Sequence, residues 1–412
     1  MTPRAVTGIG VVSSIGVGWR AFADGLATGA RPSARPSSFD PTPYGASQVA
    51  EVAHFDAAKY LGDKGLRTLD RLSKLLVVAV RLGLEDCGLK VGGTWTPADR
   101  PWPERIGLVV SNAYGSLEAI HELDRVAILE DARYINPSRF PLTVSNSAAG
   151  YASIWEDLRA LNVSVSDGHC GALDAVSCAD LFLEEARADV ILVGGAEAMS
   201  EALFVAFRKM GASPKDEIGA SPKDEIGASP KDEGNKRSTP KDGGLLGEGA
   251  ALVALESAKG ARARGANILA EITGYGTAFT APRGESALMV ATPQSLEDAM
   301  SEALADARIG AHDVDVVVSG VHGSGAFDDA ELEAIRRTFG SNTCVTAPKR
   351  AIGETLGASG ALAMAAAIAL LERGVPTHVV RGALRGPART ALVTMTGYYG
   401  NASALVIRTV SG

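Results

Sequence analysis

His169 and Cys170 stand where side chains of this chain could do chemistry. They follow Val163-Ser-Val-Ser-Asp-Gly168, a short β-rich run that bends through Asp167-Gly168. They precede Gly171-Ala-Leu-Asp-Ala-Val176, the start of an apolar-periodic helix running towards Glu185. A strand that feeds a helix through so tight a bend lifts one side chain at the elbow, beside the helix N-terminus. Backbone N–H groups and the helix dipole favour negative charge there. A thiol on the elbow would be a nucleophile with a lowered pKa. An imidazole would be pushed towards its neutral form. The residue at the tip therefore decides what the elbow can do.

The remaining candidates for chemistry give little. The four cysteines (Cys87, Cys170, Cys178 and Cys344) form no Cys-x-x-Cys pair and have no histidine at ligand spacing. A structural zinc site or a disulfide framework is not expected, and Cys178 reads as core. His54, His121, His312 and His378 show no metal-ligand spacing and read as loop or surface residues. No metal and no cofactor are implied.

The elements that would hold the elbow can be read from the pattern. Ala5–Val12 is expected as a buried strand, followed by a helix from about Gly18 to Leu26. Residues 30–56, rich in Pro and Ser, read as loop. Asp70–Leu89 has Leu72, Leu75, Leu76, Ala79 and Leu82 at helical spacing. Arg105–Ser111 reads as a strand and Ser145–Leu161 as the helix leading to the elbow. Ala188-Asp-Val-Ile-Leu-Val-Gly-Gly195 reads as a parallel strand covered on both faces. Gly247–Glu256 resumes the sheet. The second half replays the first, with strands near Ile268–Tyr275, Val314–Ser319, Ala391–Thr396 and Ala404–Arg408 and helices at Ser295–Ala307, Ala330–Phe339 and Leu356–Glu372. Two successive α/β halves of similar order predict a duplicated layered fold rather than a barrel. Between them, Gly211-Ala-Ser-Pro-Lys-Asp-Glu-Ile218 recurs at 219–226 and nearly again at 227–233. That composition predicts a flexible, solvated loop over 211–243.

Composition excludes some classes. The 412 residues carry a net charge of −8 with nothing in them that reads as a basic stripe, which argues against a nucleic-acid binder. The N-terminus lacks a signal-peptide pattern, and no apolar run approaches the roughly 18 residues of a membrane span. A cytoplasmic location is expected.

Several ordered stretches resemble the β-ketoacyl synthase family of the thiolase-like fold. Thr7-Gly-Ile-Gly-Val-Val-Ser13 resembles its opening strand, and Val193-Gly-Gly-Ala-Glu197 and Gly247-Glu-Gly-Ala250 resemble two glycine-acid signatures. Val321-His-Gly-Ser-Gly325 resembles the first histidine motif, and Lys349–Ala361 the lysine and second-histidine motif. The resemblance implies an α/β, five-layer αβαβα architecture in two thiolase-like halves, residues 1–256 and 257–412. It also implies an active site at His169, His322, Lys349 and Glu354. Tyr398 falls where the family's gating phenylalanine sits, with Tyr399 beside it in the Gly397–Gly400 loop. Lys64, Arg67 and Arg208 lie at positions resembling the basic face that docks the acidic acyl carrier protein.

The family's Cys-His-His set is altered. Counting from Ala149-Gly150 or back from Gly194-Gly195 puts His169 where the cysteine stands. His322 keeps the first histidine and Lys349 the lysine, while Glu354 replaces the second histidine. An acyl-imidazole hydrolyses readily, so His169 is a poor store for an acyl chain. Cys170, one position on, is turned by about 100° and points away. Malonyl decarboxylation needs donors at the enolate oxygen. A carboxylate about 4 Å from it would cost roughly 4 kcal/mol at an effective dielectric of about 20, nearly a thousandfold in rate. The two substitutions are instead expected to form a hydrogen-bonded His169–Glu354 pair, with Lys349 balancing charge. Broken-triad members resemble chain-length factors, so the resemblance implies a non-elongating subunit. It would pair as a heterodimer with an active ketosynthase in type II polyketide or fatty-acid-like synthesis, and the fold's usual dimer strand, at Val163–Ser166, would equally serve a homodimer. The alternative is an active acyltransferase, condensing through Cys170 or decarboxylating malonyl units with His322.

Overall fold

The computed structural model describes residues 1–31, 34–44, 48–98, 102–209, 244–281, 291–323 and 325–410. The octapeptide repeat and the loop over 211–243 lie outside the described residues.

The first half contributes strands β1 (Arg4–Ser13), β2 (Ile106–Ser111), β3 (Asn162–Val165), β4 (Val190–Glu197) and β5 (Gly249–Ser257). The second contributes β6 (Ala270–Phe279), β7 (Val316–Val318), β8 (Cys344–Thr346), β9 (Val379–Arg381), β10 (Thr390–Thr396) and β11 (Asn401–Arg408). They lie in the order β9-β8-β7-β10-β11-β6-β1-β5-β4-β2-β3. The first half thus runs β3-β2-β4-β5-β1, and the second repeats that winding as β8-β7-β10-β11-β6 with β9 added outside. Pairings repeat as well: β2–β3 and β2–β4 are parallel and β4–β5 antiparallel, as are β7–β8, β7–β10 and β10–β11 in turn. The halves meet through three residue pairs between β1 and β6, Arg4 to Val6 against Ile272 to Ala270.

Helices make the other layers. α1 (Arg71–Asp86) and α2 (Ser147–Glu156) cover the outer face of the first half. α3 (Gly171–Glu184) and α6 (Ser359–Arg373) lie between the two sets of strands, and α4 (Pro293–Asp306) and α5 (Gly325–Phe339) cover the outer face of the second. This is a duplicated α-β-α-β-α stack, the arrangement expected. The middle helices are covered from both sides. α6 is accordingly Ala-rich and buried at every position from Ser359 to Leu371, because small side chains let two sheets approach.

Some local expectations are corrected. The helix read over 145–161 ends at Glu156, where Asp157 takes a left-handed conformation (φ 57°). α5 starts five residues before the expected Ala330, because Asp328 in its first turn accepts the N–H groups of His322 and Gly323 at 3.1 and 2.7 Å. Leu82 is half-buried, at the margin of the stripe on α1, and Cys178 is half-buried rather than core. Leu356–Arg373 is long and apolar enough to cross a membrane by length and composition, contrary to the expectation that no such run exists. With 89% of it buried inside the protein, it is a core helix.

Close packing of β1 on α1 rests on Gly10. A Cβ there would sit 1.9 Å from the Ala79 carbonyl oxygen and 2.6 Å from the Gly83 nitrogen, both backbone atoms. Gly10→Ala is expected to destabilise the fold by about 1–3 kcal/mol or more. Thermal denaturation checks this: an unchanged melting temperature would mean that helix and strand are not held in register here.

Candidate active site

The elbow forms from a left-handed residue followed by a helix start. Gly168 adopts φ 52°, and the N–H groups of Cys170 and Gly171 both donate to the Asp167 carbonyl, at 3.1 and 3.2 Å. α3 begins at Gly171, whose missing side chain admits Ser111 Oγ, 2.3 Å from where a Cβ would be. His169 is turned inwards and is 2% exposed. Its Nδ1 lies 3.1 Å from the Thr396 carbonyl oxygen at the end of β10. Cys170 is fully buried with its Sγ 3.5 Å from the preceding carbonyl, that of Met395. Burial above all, then the carboxylates of Asp174 and Asp167, push its thiol well above the ordinary range. The thiolate form is therefore disfavoured, whatever the helix N-terminus contributes.

Glu354 is the hub of the site. Gly353, at φ 78°, turns the chain out of the short helix Lys349–Ile352. The Glu354 backbone is then clamped by Leu245 and Gly247, its N–H and carbonyl each bonded at 2.7 Å. The side chain is 4% exposed. Oε1 accepts from the Leu356 N–H and the Ser359 hydroxyl at 2.8 Å each, and Oε2 accepts from Lys349 Nζ at 2.8 Å. His169 Nε2 lies 3.1 Å from Oε1, and His322 Nδ1 lies 3.4 Å from Oε2. The expected His169–Glu354 contact is present at hydrogen-bond distance, but Nε2 makes no directed hydrogen bond. The contact is electrostatic. Both His169 nitrogens thus face oxygen acceptors.

Burial opposes charge on Glu354, but His169, Lys349 and His322 together hold its carboxyl well below the usual carboxylate range. For His322, burial and the Lys349 ammonium outweigh the carboxylates of Glu354 and Asp328, and the imidazole is held below its ordinary value. The cluster is therefore a carboxylate paired with an ammonium, flanked by two rings.

Aromatic side chains close the site. The Tyr398 ring stands 4.3 Å from that of His169, 5.2 Å from Phe327 and 6.1 Å from Phe207, and its buried hydroxyl has no partner among the described residues. Tyr399, the neighbour expected in the same loop, is 58% exposed. Burial, then a hydrogen bond with Tyr399, push the phenol of Tyr114 up to about 12. Of the three residues expected to form a basic face, Lys64 and Arg67 are exposed, whereas the Arg208 guanidinium is half-buried and donates to the Tyr44 carbonyl at 3.1 and 2.8 Å. Among the described residues no group of three or more His, Cys, Asp or Glu could hold a metal ion.

Sequence reasoning missed the carboxylates that brace the site. Glu197, buried at the end of β4, accepts the N–H groups of Ala113, Tyr114 and Gly357, and so ties the first half to the loop after Glu354. Glu331 on α5 accepts from the Gly320 N–H and the Thr394 hydroxyl at 2.7 Å each. Burial pushes both carboxyls up to about 7. Glu197 carried a signal, the glycine-acid signature; Glu331 carried none.

Known proteins bear on this geometry. The family model described as Beta-ketoacyl synthase, N-terminal domain, matches residues 1–261, and that of the C-terminal domain matches 269–381. A 3-oxoacyl-[acyl-carrier-protein] synthase 2 of Coxiella burnetii is 30% identical over 87% of this chain and 83% of its own. The β-ketoacyl synthase 1 named for actinorhodin polyketide in Streptomyces coelicolor is 30% identical over 98% of this chain and 88% of its own. Among solved structures, the ishigamide ketosynthase/chain length factor superposes with a TM-score of 0.85 at 22% identity. A β-ketoacyl synthase of Burkholderia phymatum STM815 superposes at 0.81 and 25%. Each covers 100% of both chains.

Two outcomes follow from the buried carboxylates. Glu354→Ala, which strands Lys349, is expected to cost about 3–5 kcal/mol of stability. Because the fold lowers the Glu354 pKa, its stabilisation is present above the usual value near 4.5 and lost as pH falls below it. The melting gap between the parent and Glu354→Gln should therefore be wide at neutral pH and close in acid. Equal melting at neutral pH would remove the network from the fold's energetics. Glu331 has the opposite sign: the fold raises it from 4.5 to about 7, so the folded state binds the extra proton and stability falls as pH rises through that window. One such proton is worth up to about 1.4 kcal/mol per pH unit. Glu331→Gln should flatten the melting profile between those pH values, and a profile identical to the parent's would count against it.

Proposed function

The chain belongs to the β-ketoacyl synthase family, and we propose that within it this protein is a non-elongating subunit of the chain-length-factor kind. It works beside a catalytic ketosynthase, as a heterodimer, on chains carried by an acyl carrier protein in type II polyketide or fatty-acid-like synthesis in the cytoplasm. One observation carries this reading. The elbow position holds an imidazole engaged with Thr396 and Glu354, while the only adjacent thiol, Cys170, is wholly buried against Met395. Elongation needs a thiolate to hold the acyl chain while a second unit attacks it. A neutral thiol held in the core cannot be that thiolate.

The site residues take matching roles here. His169 and Glu354 replace the catalytic pair, Lys349 neutralises Glu354, and Tyr398 closes the space beside the elbow as a fixed gate. Lys64 and Arg67 offer an exposed basic face for the carrier protein; Arg208 contributes through Tyr44 to the shape of that face. A structure with a chain-length factor in its name supports the reading at the level of fold only, at 22% identity. The pairing edge would be β3, which ends the first half of the sheet.

Malonyl decarboxylation through His322 is the second reading, and the Lys349–Glu354 pair at 2.8 Å favours it by cancelling the carboxylate's repulsion of an enolate. Both readings meet one assay. The purified chain is incubated alone with radiolabelled acyl and malonyl carrier protein, then again with a ketosynthase. The non-elongating role predicts no covalent label and no released carbon dioxide until the ketosynthase is added. Label on Cys170 would refute it in favour of condensation, and carbon dioxide released by the chain alone would establish the decarboxylase.

A further inference from the structure

Two carboxylates beside the elbow take no part in the site described above. Asp167 precedes Gly168, and Asp174 stands in the first turn of α3. Both are half-buried, and they are hydrogen-bonded to each other. Their other donors are neutral. Asp174 Oδ1 accepts from the hydroxyls of Tyr275 and Ser403 at 2.7 and 2.6 Å, and Asp167 Oδ2 accepts from Asn401 Nδ2 at 2.9 Å. Among the described residues no cation pairs with either carboxylate.

The two acids are tied to different parts of the fold. The Asp167 carbonyl accepts the N–H groups of Cys170 and Gly171 at 3.1 and 3.2 Å, and so starts α3. The Asn401 carbonyl accepts the Gly397 N–H at 2.8 Å, closing the turn that carries Tyr398 and Tyr399. Asp167 therefore joins the elbow to the Tyr398 turn, next to the left-handed Gly168. The partners of Asp174 lie instead within strands paired on both sides, Tyr275 on β6 and Ser403 on β11. One carboxylate is anchored to the sheet and the other is held by loops.

We propose that Asp167 and Asp174 form a latch closed by one shared proton, whose loss as pH rises drives Asp167 away and loosens the elbow and the Tyr398 turn together. Two carboxylates in contact, half out of water and without a counter-ion, repel each other when both are ionised. A proton held between them belongs to the pair and removes that repulsion. Burial first, then the hydrogen bond with Asp167, push the Asp174 carboxyl from 3.8 up to about 7. The folded state thus holds the extra proton: the latch is closed at the acid end of that window and lost as pH rises through it. The other ionisable groups facing the pair are Tyr275 from β6 and Cys170 from α3. Burial and the carboxylates themselves raise both, so both stay neutral throughout. From β11 come only Asn401 and Ser403. The latch does not rest on the chain-length-factor reading, since it concerns how the elbow is held and not what chemistry it hosts.

The test is hydrogen exchange followed by mass spectrometry on the full chain, at about pH 5 and about pH 7.5, corrected for intrinsic exchange rates. One proton released on opening changes the opening constant by up to about tenfold per pH unit. Peptides holding Cys170–Gly171 and Gly397–Asn401 should therefore lose at least about tenfold in protection at the higher pH. Asp174→Asn should abolish that loss, because its amide donates to Asp167 as the shared proton does. Asp167→Asn should do the same from the other side, and serves if the first variant folds poorly. Equal protection at both pH values in the parent would overturn the proposal. So would loosening of one peptide without the other. A loss that persists unchanged in either folded variant would also overturn it, and would point to Glu197 or Glu331, likewise raised to about 7.

Discussion

A carboxylate placed in a dry interior must be neutralised where it stands. Glu354 meets that requirement through Lys349 on the preceding turn, two N–H and O–H donors at the start of α6, and two imidazole rings from distant parts of the chain. At 2.8 Å and an effective dielectric of about 20, the ammonium–carboxylate attraction is about 6 kcal/mol. Removing both ions from water costs several kcal/mol each. Lys349 alone leaves that balance near zero. The donors from Leu356 and Ser359 and the two rings turn it in favour of the ionised form, and this is why the Glu354 carboxyl sits low although fully buried.

The rest of the site follows from holding that charge. The loop carrying Glu354 is bonded to Leu245 and Gly247, and Glu197 takes the Gly357 N–H from the other half. His169 can face Glu354 only because Gly168 turns left-handed before α3 begins. The same turn buries Cys170, since the next residue already belongs to the helix that fills the space between the sheets. An elbow that usually presents a reactive side chain thus presents a partner for a buried acid. In the proposed role, chemistry that needs a free thiolate is given up while the architecture around the elbow is kept.

Much of this could be read from the residues. The helical periodicity read over Asp70–Leu89, the apolar strand run ending in Gly194-Gly195, and the repeat of strand and helix order predicted a duplicated layered stack, and the winding of the two halves is the same. Boundaries were less legible. Nothing local says that Asp328 will start α5 five residues early, since its partners, the amides of His322 and Gly323, gather only once the preceding loop has folded. The run from Leu356 to Arg373 could not be told from a membrane span by composition, because a helix between two sheets meets surroundings as apolar as lipid. Cys178 looked like core by spacing, yet its side of α3 is only half covered.

By itself the sequence determined that His169 and Cys170 are the residues at the elbow, that Glu354 follows Lys349 closely along the chain, and that two α/β halves follow one another. Only the tertiary structure decided that His322 joins Lys349 and His169 around Glu354, that the His169 contact lacks a directed hydrogen bond, and that Arg208 is bonded to the Tyr44 carbonyl. Spacing along a chain fixes residue type and local turn. The direction of a hydrogen bond and the surroundings of a buried charge depend also on residues far off along the chain, as His169 is from Glu354 and Tyr44 from Arg208, which come together only when the chain folds.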